Sequence, residues 1–341
     1  MSFAKNPGMR HFRGNFAAVI VNFKPMTAEK KNVIIQFVFD ASVSQVWRAW
    51  TDAAMVLKWV GSDPRGKGLE AFADVRPGGQ FAFTFQNSDQ TRFTAFGRYI
   101  DIDQPRHLSF TWEWINEPGV ESLVDVSLES ENDTTRMVFQ HDGLDPASGH
   151  DYAYGWKSTF SKLNRVLVAQ TILEHFNITL GEWIGFLDDY TLDMLRQPPR
   201  AGSWSLGQVY MHITDDSLHF AGQMREAMNK ETDGDKEMHE DARSIFRNNG
   251  FPDRKIMGPA TNTLIPQPES KDQLLQRLLA IRQEVNELFA SSEVAGATGK
   301  TRHPGLLYFT ALEWLQFAEM HLRHHFRQKK RIDEQLFISR Q

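Results

Sequence analysis

The chain of 341 residues contains no cysteine. This absence excludes disulfides, cysteine-ligated zinc sites and thiol nucleophiles, and it is typical of proteins in a reducing compartment. We therefore expect a cytoplasmic protein whose chemistry depends on other side chains.

Long apolar runs and an excess of basic charge are also missing. No run approaches the roughly 20 apolar residues of a membrane span, so no contact with a membrane is expected. The formal net charge is −5 and the isoelectric point is about 6.2, which predicts no nucleic-acid partner. The dense basic cluster Arg327 to Arg331 is instead expected to stabilise the end of a helix.

The length and composition indicate two globular domains. Hydrophobic residues make up 41% of the chain and charged residues 24%, which is globular composition. The patterns described below divide the chain into an N-terminal tail (1–30), a first domain (31–168) and a second domain (170–336). Because no Gly/Ser-rich linker lies near residues 165–172, the last helix of the first domain is expected to run almost directly into the second.

The first domain has mainly strand patterns. Apolar and polar residues alternate in segments such as Phe81–Phe85, and turn residues separate the segments from Val33 to about His141. Residues 42–58 have helical spacing instead, and the chain becomes helical again after Pro146. These patterns predict an α+β domain with six or seven antiparallel strands, an early short helix and a long final helix.

The second domain is predicted to be helical almost throughout. Pro- and Gly-rich stretches, including Gly250–Pro268 and Ala295–Pro304, separate the helical patterns. Four helices with one long crossover form an all-α four-helix bundle. The predicted helices span about 171–195, 205–229, 271–291 and 310–335.

Three of the 12 histidines have a spacing that indicates a metal site. His321 and His325 are four residues apart, so both side chains lie on one face of the last helix. His212 belongs to the second helix, and three imidazoles with open coordination positions suit zinc, nickel, iron or manganese.

The spacing leaves alternatives open. The same histidines could act as imidazolium groups at the end of a helix, with no metal. His324 could replace His325 as a ligand, or it could orient the ligands or transfer a proton. Asp216 could orient the ligands or transfer a proton in the same way, or it could be a fourth ligand or a solvated helix residue.

The second domain contains two distinctive motifs: Trp204-Ser-Leu-Gly-Gln-Val-Tyr-Met-His212 and the closing segment Glu313 to Gln328, which contains His321 and His325. Together they resemble the motifs of the DinB-like superfamily, and the resemblance covers about residues 170–335. It implies a four-helix bundle with a divalent metal on His212, His321 and His325. Characterised members include thiol S-transferases and hydrolase-like proteins, so a low-molecular-weight thiol is an expected partner.

The first domain contains four characteristic segments: Phe39 to Asp52, Lys58-Trp59, Asp74 to Gly79 and Gly155-Trp156. Together they resemble activators of the heat-shock chaperone ATPase, within the START-like (SRPBCC) helix-grip superfamily, and the resemblance covers about residues 32–168. It implies a curved sheet wrapped around a long helix, with an apolar cavity for a small hydrophobic molecule; alternatively, the rings simply fill the core. The candidate lining is Trp47, Trp59, Phe83, Phe85, Phe96, Trp112, Trp114, Trp156 and Phe160.

Together these features favour a metal-dependent thiol S-transferase or hydrolase fused to a ligand-binding domain. Two alternatives remain: a non-catalytic sensor with a structural metal, and a co-chaperone that activates an ATPase. A homodimer is expected because bundles of this type often pair.

Overall fold

The computed structural model describes residues 30–230, 232–253, 265–290 and 294–338. Of the predicted N-terminal tail, residues 1–29 lie outside the described residues, as does the middle of the predicted loop 250–268. No helix in the described ranges is both long enough and apolar enough to cross a membrane.

The first domain is a seven-stranded antiparallel sheet with helices on one face, as predicted. Its strand order is β1-β7-β6-β5-β4-β3-β2, which places the first two strands at opposite edges. Two short helices, rather than the single predicted one, lie between β1 and β2, because Asp52 ends the first helix and caps the second. The elements are β1 Lys31–Phe39, α1 Val43–Thr51, α2 Ala53–Trp59, β2 Lys67–Ala73, β3 Gln80–Gln86, β4 Arg92–Asp103, β5 His107–Trp114, β6 Ser122–Glu131 and β7 Thr134–Leu144.

One helix connects the two domains. Helix α3 spans Tyr152–Phe186, 35 residues without a break, so the predicted direct passage between the domains takes the form of a single helix. Its first half packs Phe160 and Leu167 against the sheet, and its second half packs Leu180 and Trp183 into the bundle. Both predicted bounds of the helix at 171–195 are therefore wrong. Residues 171–186 are the second half of α3, which begins at Tyr152 and ends at Phe186.

The bundle contains the other three predicted long helices and several short elements that the patterns did not predict. In the bundle α3 packs against the last helix and against α7, and both of these pack against α5, so the four long helices form a square. Among these elements are two short helices and a hairpin of four-residue strands, whose first strand lies in the predicted loop Ala295–Pro304. The elements are α4 Leu192–Arg196, α5 Leu206–Asn229, α6 Glu240–Arg247, α7 Lys271–Ala290, β8 Lys300–His303, β9 Leu307–Thr310 and α8 Ala311–Asp333.

Candidate metal centre

Local capping motifs fix the two helices that form the candidate centre. Ser205 caps α5, and Gln208 completes a capping box that satisfies the first backbone N–H groups. Thr310 and Glu313 make the same motif at the start of α8. Helices α5 and α8 pack against each other along their length.

His212, His321 and His325 converge between these two helices. One ring nitrogen from each histidine lies within 4.8 Å of the other two. The ring centroids are 5.2 Å apart for His212 and His321, 4.9 Å for His212 and His325, and 4.6 Å for His321 and His325. The three residues that the spacing singled out are therefore neighbours in space.

The hydrogen bonds orient the imidazole of His325 toward the other two rings. Nδ1 of His325 lies 2.8 Å from Oε1 of Gln328, an acceptor, so Nδ1 carries the proton and donates it. Nε2 of His325 is then unprotonated and carries a lone pair. This nitrogen lies 3.2 Å from Nε2 of His321. Nδ1 of His321 is buried and has no hydrogen-bond partner among the described residues.

Burial keeps the three rings neutral. His212 and His325 are 9% and 7% exposed, and burial lowers the pKa of His212 to about 4 and that of His325 to about 3. Burial and the neighbouring imidazoles lower the pKa of His321 well below its usual value. The alternative in which imidazolium groups stabilise the end of a helix does not fit this environment, whereas neutral imidazoles are the form that binds metal.

Asp216 lies beside the cluster, one helical turn after His212. Its Oδ2 lies 3.6 Å from Nε2 of His212 and 3.5 Å from Nε2 of His321. Burial raises the pKa of this carboxyl to about 6. A carboxylate oxygen at this point is a potential fourth donor, and the donor set of three imidazoles and one carboxylate suits a borderline divalent ion.

His324 points away from this donor set. Its ring packs 5.2 Å from Phe251 and 5.4 Å from His325, measured between centroids. Of the two candidates that the spacing left open, the geometry therefore brings His325 to the other imidazoles.

Two residues beside the cluster were not assigned a role from the sequence. Gln328 follows His325 by three residues, the helical spacing at which side chains meet, so the periodicity could have indicated this contact. The indole of Trp204 lies 5.1 Å from the His212 ring, and only the fold brings these two residues together.

In the first domain, eight of the nine aromatic residues predicted to line a pocket form a continuous core. Trp156, for example, lies 5.1 Å from Trp112 and 5.5 Å from Phe160, measured between ring centroids. Phe96 is a correction: it is half-buried on the other face of the sheet, because Ala95 takes the inward position on β4. Trp50, which was not predicted, lies at the centre of this core and contacts five other rings.

Comparisons with known proteins agree with both resemblances. Residues 40–168 match the model of the Activator of Hsp90 ATPase homolog 1-like protein family, and residues 175–328 match that of the DinB superfamily. A search of curated proteins finds no match to the chain.

Three of the solved structures that are similar to the chain each correspond to about two fifths of its length or less. A protein from Nitrosomonas europaea is 18% identical, with a TM-score of 0.35, and covers 40% of this chain and 93% of its own. An AHSA1-like protein from Aeromonas hydrophila is 20% identical, with a TM-score of 0.35, and covers 40% and 90%. An HSP90 activator from Plasmodium falciparum is 21% identical, with a TM-score of 0.28, and covers 34% and 75%. The chain thus joins a region that matches the Activator of Hsp90 ATPase homolog 1-like family to a region that matches the DinB superfamily.

Proposed function

We propose that the C-terminal bundle binds a divalent metal ion through His212, His321 and His325 and uses it in thiol transfer or hydrolysis. The observation that supports this proposal is the convergence of three neutral imidazole nitrogens within 4.8 Å. Zinc, nickel, iron and manganese are the candidate ions, because each accepts imidazole ligands.

The residues of the chain have separate roles in this proposal. The three imidazoles hold the ion, Gln328 fixes the tautomer of His325, and the Asp216 carboxylate is placed to accept the proton of an incoming thiol or water. When bound, the ion supplies Lewis acidity that lowers the pKa of a coordinated thiol or water.

The metal content of the purified protein tests the site directly. We expect about one ion per chain by elemental analysis, and we expect His212→Ala and His325→Ala to lose most of it because a buried site with two imidazoles binds weakly. His175→Ala, on the exposed face of α3, is the matched control and should keep the metal.

Two results would count against this function. Metal retained in both site variants would show that the ion binds elsewhere. Wild-type protein that takes up none of the four candidate ions, even after reloading, would make these histidines ordinary core residues. The ligand-binding and co-chaperone roles of the first domain stay predictions, as does the alternative of a non-catalytic sensor with a structural metal.

A further inference from the structure

A second candidate site lies where the two domains meet around α3. Helices α1 and α2 of the first domain and α7 of the bundle flank this helix, and between them is an open cavity of ≈ 680 Å³. A volume of several hundred Å³ is the size of a pocket for a small metabolite. Because the histidine cluster lies between α5 and α8, this cavity is on the opposite side of the bundle.

The charges around the cavity are mainly positive. Arg48 comes from α1, Lys58 from α2 and Arg282 from α7, and these three cations face a single carboxylate of the lining, Glu174. Arg48 already pairs with Asp52 at 3.3 Å, whereas among the residues that the structure describes neither Lys58 nor Arg282 makes an ion pair. Both domains therefore contribute positive charge that the described part of the chain leaves available to an anion.

Arg282 carries the clearest sign of a missing partner. Its Nε is buried and has no hydrogen-bond partner among the described residues. A buried donor without a partner is unfavourable, and a guanidinium matches a carboxylate or phosphate with two parallel hydrogen bonds. The guanidinium lies against Gly181 of α3, where an added Cβ would approach Nη2 to 3.2 Å.

The rest of the wall is partly apolar. Leu173, Ile178 and Phe289 line the cavity, and the Ile178 side chain is 55% exposed there. Such a wall favours a ligand with an alkyl or aryl part rather than a bare inorganic ion.

From these features we infer that the cavity binds a small amphipathic organic anion. Its carboxylate or phosphate pairs with Arg282, with Lys58 and Arg48 nearby, and its apolar part lies along Leu173 and Ile178. Because α1, α2 and α7 all contribute, the bound anion contacts both domains at once.

Isothermal titration calorimetry of the full-length protein tests this inference by measuring the affinity for four probes. Octanoate and octyl phosphate carry both required parts, octanol has only the chain, and inorganic phosphate has only the charge. We expect either or both amphipathic anions to bind and the other two probes to bind at least about tenfold more weakly. The stronger of octanoate and octyl phosphate identifies the head group.

Three variants separate this site from general charge and from the histidine cluster. Arg282→Gln should weaken binding of the tightest probe about tenfold or more, because it removes the charged guanidinium group. Gly181→Ala should also weaken it, since the new Cβ displaces the guanidinium while the net charge is unchanged. Arg247→Gln, an exposed position on α6, removes the same charge elsewhere and should have no effect.

The inference would be overturned if octanol bound as tightly as the stronger of the two amphipathic anions, or if Arg282→Gln kept the wild-type affinity for that anion. All variants should keep the metal content of the wild type, because this site shares no residue with the histidine cluster.

Discussion

At the scale of single residues, sequence spacing alone does not identify every side chain that forms and orients the histidine cluster. The separation of four residues predicted that His321 and His325 share a face. It could not decide between His324 and His325, because both lie within one turn of His321. The decision comes from packing, since Phe251 contacts the His324 ring while Gln328 holds the ring of His325.

Gln328 is expected to control how well His325 binds metal. In Gln328→Ala the Nδ1 proton of His325 loses its acceptor, so the lone pair on Nε2 is no longer held toward the other rings. We expect the affinity for the bound ion to fall about tenfold or more, measured by competition with a chromogenic chelator. Gln283→Ala, an exposed position on α7, is the matched control, and equal affinities in the two variants would contradict this role.

Lys162 gives the first domain a distinct dependence on pH. This residue is 9% exposed and donates to the carbonyl oxygens of Gly66 at 2.7 Å and Val60 at 3.4 Å. Burial lowers the pKa of its ammonium group to about 8 from 10.5. Below about pH 8 the folded protein therefore carries an unfavourable buried charge, and that penalty disappears as the pH rises toward 10.5.

We expect Lys162→Met to remove this pH dependence. Between pH 7 and 10 the free energy of unfolding of the wild type should rise relative to that of the variant, by up to about 3 kcal/mol. Urea denaturation of both proteins at several pH values measures the difference. A constant difference across this range would show that the amine titrates normally.

At the scale of elements, the long helices and strands were predictable and the short ones were not. Helices α5, α7 and α8 begin and end within about two residues of their predicted bounds, because capping residues and apolar periodicity agree there. The sequence patterns predict a loop where β8 lies and no strand where β9 lies, since strands of four residues are too short to show alternation. Ala311 follows β9 directly, so this hairpin leads into the helix that bears two of the three histidines.

The ending of α3 shows another limit of the sequence patterns. Leu187, which follows Phe186, continues the apolar pattern and is buried, so periodicity alone gives no stop signal there. The chain instead makes a 3₁₀ turn, and Thr191 caps the separate helix α4. The capping of α4 by Thr191 therefore starts a new helix, although the apolar periodicity of α3 continues past Phe186.

Interrupting α3 at the junction should separate the unfolding of the two domains. Val168→Pro removes a hydrogen bond within the helix and introduces a clash, at a cost of about 3 kcal/mol or more. We expect calorimetry to show one thermal transition for the wild type and two for this variant. Val168→Ala controls for the lost side chain and should keep one transition; two transitions in the wild type would show that the helix does not couple the domains.

At the scale of the whole molecule, the sequence predicted both domains and the residues of the cluster, but not how the domains face each other. Motifs report on each domain separately, and both resemblances are confirmed by the family models. The cavity around Arg282 was not predicted, because its walls come from helices far apart in the chain and carry no motif. The homodimer and the cytoplasmic location stay predictions.

A bound ion should also stabilise the whole bundle. Because the three ligands come from two helices, an ion at a free concentration of 100 times its dissociation constant adds about 2.7 kcal/mol to the free energy of unfolding. We expect the melting temperature to rise on metal addition and to fall on chelation in the wild type, and to change little in His325→Ala. Equal shifts in both proteins would place the stabilising ion at another site.

The unbroken α3 constrains how the chain can change in length. A helix of 35 residues is about 50 Å long, and each residue added within it turns everything beyond by about 100° and advances it by about 1.5 Å. One inserted residue near Val168 would therefore swing Arg282 away from Arg48 and Lys58 without altering either domain internally. The helix therefore fixes how the two domains are rotated relative to each other about its axis. Among short insertions, only those close to a whole number of helical turns would preserve this rotation.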